Sequence, residues 1–402
     1  MNARRALSIG VVGAMLAAAC TLGNGDPSDR IDGAAAASSS TSSTTTTTKP
    51  VPTTTTTTTT TTLVPPDGKT AADRTLSLVH EVTGELTPKS VVWSGGDTFI
   101  AQNMVYSHTI GVYDRSYNRV ALIPDTIRLA DYGFAEYPNE YRGGPVEAAF
   151  TPDGAYAYVS NYQMYGPEFT NPGDDDCGPG NWDPSFVYRL DMAQLRIDQV
   201  IKVGAVPKFV AVTPDGRYVL VTNWCGYDLS VIDTATAAEV QRISLGAYPR
   251  GIVVSPDSTK AYVAIMGGRD IAIVDLATFA VERITNVGGS PRHLVASPDG
   301  ATLYVTLNRD GVVAKVDLAT RSVVGRVATG EAPRSMDISD DGTALYVVNY
   351  DSSTMSKVRT SDMTVLQDVP TNSLPIGITY DAESRHVWVA CYSGTLMVFN
   401  DA

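Results

Sequence analysis

The chain has 402 residues, 43% hydrophobic and 18% charged, enough apolar sequence for a large core with polar sequence to spare. Its formal net charge of -13 and isoelectric point near 4.7 exclude nucleic acid as a partner, which needs a basic face to displace counterions. Acidity of this size aids solubility through self-repulsion and is silent on fold.

Residues 1–20 read as a secretory signal. Arg4 and Arg5 give a positive start, and an apolar run over 6–19 is too short to span a bilayer. Ala17-Ala18-Ala19-Cys20 resembles the lipobox of bacterial lipoproteins, which implies lipidation of Cys20 and a new N-terminus there. The family prefers a leucine three residues before the cysteine, whereas Leu16 stands four before. Ala17 and Ala19 would also serve ordinary signal cleavage, so both routes stay open. No later stretch is apolar and long enough to cross a membrane, so the expected attachment is a lipid anchor alone.

Residues 21–72 form a Thr/Ser/Pro-rich linker that cannot bury a core and is expected to be disordered. Sixteen threonines fall between positions 41 and 62. Such tracts act as spacers and are often O-glycosylated on export. As a flexible coil the linker would span roughly 40 Å.

The body, 73–402, is repetitive. Pro207, Pro249, Pro291, Pro333 and Pro375 stand 42 residues apart, with Gly204, Gly246, Gly288 and Gly330 three residues ahead of their prolines. Turns follow at Pro214-Asp215-Gly216, Pro256-Asp257 and Pro298-Asp299-Gly300. Leu220, Tyr262, Tyr304, Tyr346 and Trp388 hold one further register, and Asp233, Asp275, Asp317 and Asp401 another. Two altered copies open upstream at Pro88 and Pro145, which makes seven.

Within one copy the apolar and β-branched runs predict strands over 208–213, 218–223, 229–233 and 240–245. Pro-Asp-Gly and Asp-Thr-Ala-Thr turns separate them. Four antiparallel strands repeated radially make a propeller blade. The last copy ends after three strands, while a spare strand, 75–83, precedes the first. That strand is expected to complete the last blade and close the ring, which removes exposed edges. The expected fold is therefore all-β, a seven-bladed β-propeller of four-stranded antiparallel blades.

Tyr158-Val159-Ser160-Asn161, Tyr304-Val305-Thr306-Leu307, Ser297-Pro298-Asp299-Gly300 and Val231-Ile232-Asp233-Thr234 resemble the YVTN-type propeller repeat of bacterial and archaeal surface proteins. The resemblance covers 75–402 and implies a seven-bladed propeller. Related propellers include surface-layer proteins, lactonases and a streptogramin lyase, among which fold does not choose.

Two departures from plain repetition fall on one predicted face. The first is a cation one residue after the opening proline: Lys89, Lys208, Arg250, Arg292 and Arg334. They would start at the channel mouth, where like charges need carboxylates or an anionic ligand; alternatively their stems pack between blades with the heads in water. The second is an insertion between Tyr162 and Pro184, whose Tyr165 and Trp182 could stack on a sugar or meet a protein. Its Asp174, Asp175 and Asp176 lack EF-hand spacing, so a solvated acidic loop is expected rather than a calcium site. Cys177 faces Cys225 in the equivalent loop of the next blade, and a disulfide is expected on export; Cys391 reads as a buried free thiol.

No zinc-ligand spacing and no G-x-S-x-G elbow occurs. His293, beside Arg292, is the one weak catalytic candidate, through a metal-dependent lyase. No metal or cofactor is expected. The reading is a monomeric exported module that binds a cell-envelope glycan or surface protein through Lys208, Arg250, Arg292, Arg334, Tyr165 and Trp182. A lactonase-like hydrolase, a lyase and a purely structural surface protein are the alternatives.

Overall fold

The computed structural model describes residues 68–178 and 180–402. The signal segment, Cys20 and most of the linker lie outside them. None of the described helices is long and apolar enough to cross a membrane.

Seven antiparallel sheets succeed one another in chain order. Their inner strands are Pro88–Trp93, Glu140–Phe150, Pro207–Val212, Pro249–Val254, Pro291–Ala296, Pro333–Ile338 and Pro375–Asp381. Each inner strand packs against the next around a common axis, and the seventh returns to the first. The third blade shows the repeat: Pro207–Val212, Tyr218–Asn223, Asp228–Asp233 and Ala238–Ser244 pair in sequence order.

Turn chemistry explains the repeated aspartates. Thr213 Oγ1 donates to Asp215 Oδ1 at 2.6 Å, and the same oxygen accepts the Arg217 N–H at 3.1 Å. Gly216 closes the turn at φ 71°, the left-handed region that suits glycine. Ser255 with Asp257, Ser297 with Asp299 and Ser339 with Asp341 repeat the device. At the second turn Asp233 Oδ1 accepts the N–H groups of Ala235 and Thr236, both at 3.0 Å.

The core lies between blades rather than at one centre. Leu220, Val231, Ile252, Val263 and Val274 of the third and fourth blades form one such layer. Burying each side chain stabilises by about 1.5–3 kcal/mol.

Ring closure follows the sequence expectation. The strand Leu76–Val82 pairs with Thr395–Asp401 and completes the seventh blade. Thr75 N–H donates to the Ala402 carbonyl at 2.9 Å, and Ala402 N–H returns the bond at 3.2 Å. Beneath this seam the fully buried Lys357 ammonium donates to Asp401 Oδ1 at 2.5 Å and to the Arg74 carbonyl at 2.9 Å. Tyr346 donates its hydroxyl to Asp401 Oδ2 at 2.6 Å.

The second blade differs from the expected four strands. A short fifth strand, Thr126–Arg128, pairs with the start of a long inner strand, Glu140–Phe150. The partner strand Tyr156–Tyr165 is lengthened to match. The segment 125–139 ahead of the inner strand and the insertion after Tyr162 supply the extra backbone. A cluster of Phe134, Tyr137, Tyr141, Phe169 and Phe186, with ring centroids 4.9–6.2 Å apart, packs the extension down.

Candidate functional site

Strand direction puts the start of each inner strand and the end of its neighbour on one face, the channel mouth. The residue before the opening proline is left-handed at Val206, Tyr248, Ser290, Ala332 and Leu374, with φ from 52° to 61°. Side chains rarely adopt this conformation, and each instance costs on the order of 1 kcal/mol. It turns the carbonyl onto the N–H of the residue just past the second strand: Trp224 to Val206 at 2.9 Å, Tyr350 to Ala332 at 3.2 Å, Tyr392 to Leu374 at 2.9 Å.

Those aromatic residues carry the cations. The Arg334 guanidinium lies 3.4 Å from the Tyr350 ring centroid and the Lys89 ammonium 5.0 Å from that of Tyr392. The Lys208 ammonium sits 4.3 Å from the Tyr162 ring and 5.1 Å from Trp224. Lys89, Lys208 and Arg334 therefore rest on aromatic faces at the mouth, and Lys208, Arg250 and Arg292 are buried, unlike the solvated heads of the alternative. Each such contact contributes about 0.5–2 kcal/mol.

Counter-ions are scarce. Lys208 pairs with Asp175 of the insertion. Among the described residues no carboxylate oxygen lies within 4.0 Å of a charged nitrogen of Lys89, Arg250, Arg292 or Arg334. Arg250 Nη1 donates to the Lys208 carbonyl at 3.1 Å. Arg292 is only 6% exposed, yet among the described residues its side chain reaches only the weakly accepting Met266 Sδ, at 3.8 Å. Arg334 Nε is buried without a partner. Burial, reinforced by the neighbouring arginines, brings Lys208 down to about 7 although Asp175 opposes it. Burial lowers Arg250 to about 10, and burial with the other four cations holds Lys89 well below its ordinary value.

The insertion is fastened over this ring. Cys177 and Cys225 are disulfide-bonded with Cα atoms 5.7 Å apart. Tyr227 and Tyr248 donate their hydroxyls to the Cys177 carbonyl at 3.1 and 2.8 Å. Tyr162 donates to Asp175 Oδ1 at 3.3 Å, and Trp224 Nε1 to the Asp175 carbonyl at 3.2 Å. Burial alone would raise the Asp175 carboxyl, but Lys208, Lys89 and Arg250 bring it down to about 2. Asp174 Oδ1 accepts the Asp176 N–H at 2.9 Å, so the acidic run is partly used by its own backbone. Tyr165 is 37% exposed, edge-on to His108 at 5.1 Å. Trp182 is half-buried against the disulfide, its Nε1 donating to the Gly178 carbonyl at 2.9 Å, which makes it an anchor of the loop. Cys391 is a buried free thiol.

Beneath the cations the axial channel holds a cavity of about 160 Å³. Its wall is built by the residues that directly follow the ring positions: Ser90, Glu147, Phe209, His293, Ser335 and Gly377, with Asp337 and Thr379 one layer deeper. Burial raises Glu147 to about 7 against the pull of Arg250, and Asp337 to about 6 against the backbone N–H groups of Tyr380 and Ile338. Burial, helped by Arg250 and Arg292, lowers His293 to about 3, so its ring is neutral. His293 stands edge-on to Phe209 at 5.3 Å and accepts only the Met336 N–H, at 3.4 Å. The mouth thus offers a positive, partly desolvated ring above a pocket of mixed lining, in which Glu147, Asp337, His293 and hydroxyls stand among Val295, Met336 and Ile378. Reading the sequence found the ring and the loop. It missed Glu147 and Asp337, which stand two and four residues after their prolines, and the aromatic platforms after the second strands; both are fixed offsets within the repeat.

Two family models match parts of the chain: a YNCE-like beta-propeller over residues 178–303, and a cytochrome D1 heme domain over 258–394. No curated protein matches it. Among solved structures, a chain of hydrazine synthase from Kuenenia stuttgartiensis superposes with a TM-score of 0.63 at 20% identity. The match covers 80% of this chain and 97% of that one, and at this identity it speaks for the fold alone.

Proposed function

We propose that this seven-bladed propeller of the YVTN type is an exported binding module whose channel mouth captures an anionic ligand. Its place is the cell envelope, held by lipid at Cys20 and carried clear of the surface by the threonine-rich linker. The partner is an acidic envelope glycan or an acidic patch on a surface protein.

One observation carries this reading: Arg292, nine-tenths buried beside Arg250 and Arg334, has no carboxylate partner among the described residues. A buried charge costs several kcal/mol unless paired, and an incoming anion would supply the pair. The ring is positive within a chain of net charge -13, so the attraction is local to the mouth.

The test is thermal melting of the full chain with anionic glycans, nucleotides and divalent metals, beside Arg250→Ala, Arg292→Ala and Arg334→Ala variants. A ligand of the folded state at 100 times its Kd adds about 2.7 kcal/mol and raises Tm. Anionic glycans should raise Tm in the parent and lose most of that rise in the variants. A rise unchanged in the variants, or no rise with any anion, would overturn the reading. A shift given by a metal alone would move attention to His293 and a lyase.

A further inference from the structure

Charge and shape at the mouth say more about the ligand, on the footing of the anion-binding reading above. Five cations face the carboxylates whose charge reaches them, Asp175, Glu147 and Asp351. With Lys208 and Glu147 both held near 7, their partial charges offset, and against Asp175 and Asp351 the remaining four cations leave about two positive charges over near neutral pH. Arg250, Arg292 and Arg334 stand on three consecutive blades, and guanidinium forks match the oxygens of carboxylate and phosphate groups. A dianionic head would satisfy them; a single carboxylate would leave one charge buried and bare.

The cavity directly beneath the ring adds a second constraint. Its volume of about 160 Å³ admits a body of roughly one sugar ring. Glu147 and Asp337 offer acceptors for hydroxyl hydrogens. Phe209 offers an aromatic surface for a ring face, and Ser335 and Thr379 offer further polar atoms. Nothing in this wall adds positive charge, so the anionic group belongs at the ring and the hydroxylated part below it.

We propose that the ligand is a phosphorylated sugar, its phosphate monoester held by Arg250, Arg292 and Arg334 and its hydroxylated ring seated in the axial cavity. The same chemistry occurs in a free sugar phosphate and at the phosphorylated end of a glycan. Lys89 and Lys208 flank the phosphate, and Asp175 on the disulfide-pinned loop keeps Lys208 in place beside it.

Titration calorimetry on the full chain at fixed ionic strength tests this. The probes are hexose 6-phosphates (of glucose, mannose and N-acetylglucosamine), glucuronate, methyl phosphate, glucose and a trisaccharide phosphorylated at its terminus. At least one hexose phosphate should bind tenfold or more tightly than glucuronate, which has the ring but one charge. It should bind as much more tightly than methyl phosphate, which has the charge but no ring. Arg292→Ala should abolish the advantage over glucose, and Asp337→Asn should weaken the hexose phosphate while sparing methyl phosphate. A trisaccharide that binds at least as well would assign the source to a glycan end; one that fails would assign it to the free sugar phosphate. Equal affinity for glucuronate, or for methyl phosphate, overturns the inference and leaves anion binding standing. No binding by any anion, or binding indifferent to Arg292, overturns both.

Discussion

Replacing Asp401, the penultimate residue, should loosen the whole ring. Its two oxygens accept from Lys357 Nζ at 2.5 Å and Tyr346 at 2.6 Å, and the Lys357 and Asp401 side chains are fully buried. Asp401→Ala leaves the ammonium with the Arg74 carbonyl but no counter-charge, and strips the tyrosine hydroxyl of its acceptor. Breaking one side of a buried ion pair costs about 3–5 kcal/mol. Asp401 also lies in the strand that pairs with Leu76–Val82, so the loss falls on the closing seam. The assay is urea denaturation of the full chain followed by tryptophan fluorescence and far-UV circular dichroism. Trp388, in the same seventh blade and stacked on Phe99 of the first blade at 4.3 Å, reports when that blade comes apart. The double variant Lys357→Met with Asp401→Leu removes both charges and should recover most of the loss. A loss under about 1 kcal/mol for Asp401→Ala, or an equal loss in the double variant, would refute the argument.

Opening the disulfide should cost about 4 kcal/mol by loop-closure entropy for a separation of 48 residues; denaturation midpoints of the parent and Cys225→Ser, compared at equal m, check it. Gly377→Ala should cost more than an ordinary surface change, because an added Cβ would meet the Ser90 Cα at 2.6 Å where inner strands converge. Calorimetric unfolding measures that change, and an unaltered Tm would contradict the close approach. Sulfate, a dianion across the neutral range, should bind about tenfold more weakly at pH 8 than at pH 6 as Lys208, held near 7, sheds its proton. Glu147, also near 7, gains its negative charge beside Arg250 over the same window, so both effects weaken binding as pH rises. Calorimetry across that window would show a flat profile if neither group faces the anion. Deleting residues 1–84 removes the closing strand Leu76–Val82, and should lower Tm sharply; an unchanged melt would mean the seam carries no stability.

The fold was legible because a propeller writes itself in repeats. The strands expected over 218–223 and 229–233 meet Tyr218–Asn223 and Asp228–Asp233, and the spare strand pairs where the missing one belongs. The fifth strand of the second blade was not legible, because it is an insertion paired to a local extension and repeats nothing. At the mouth, Arg250, Arg292 and Arg334 could be read from their fixed place after each proline. The side chains beneath the cations could not, since Val105, Tyr162, Trp224, Met266, Asn308, Tyr350 and Tyr392 share an offset but vary between aromatic, aliphatic and amide. Glu147 and Asp337 escaped because inner-strand positions two and four residues beyond the proline hold mostly small or apolar side chains in other blades, so no pattern marks them as channel-facing. Trp182 looked like a free aromatic surface in the sequence; the disulfide beside it draws it into the loop's own packing.

The most direct test of the central claim is a crystal of the full chain soaked in tungstate, a dianion whose anomalous scattering locates it without bias. The strongest peak should lie within hydrogen-bonding reach of Arg292 and Arg334, above the axial cavity. Peaks confined to other surfaces, with the ring empty at saturating tungstate, would contradict the account.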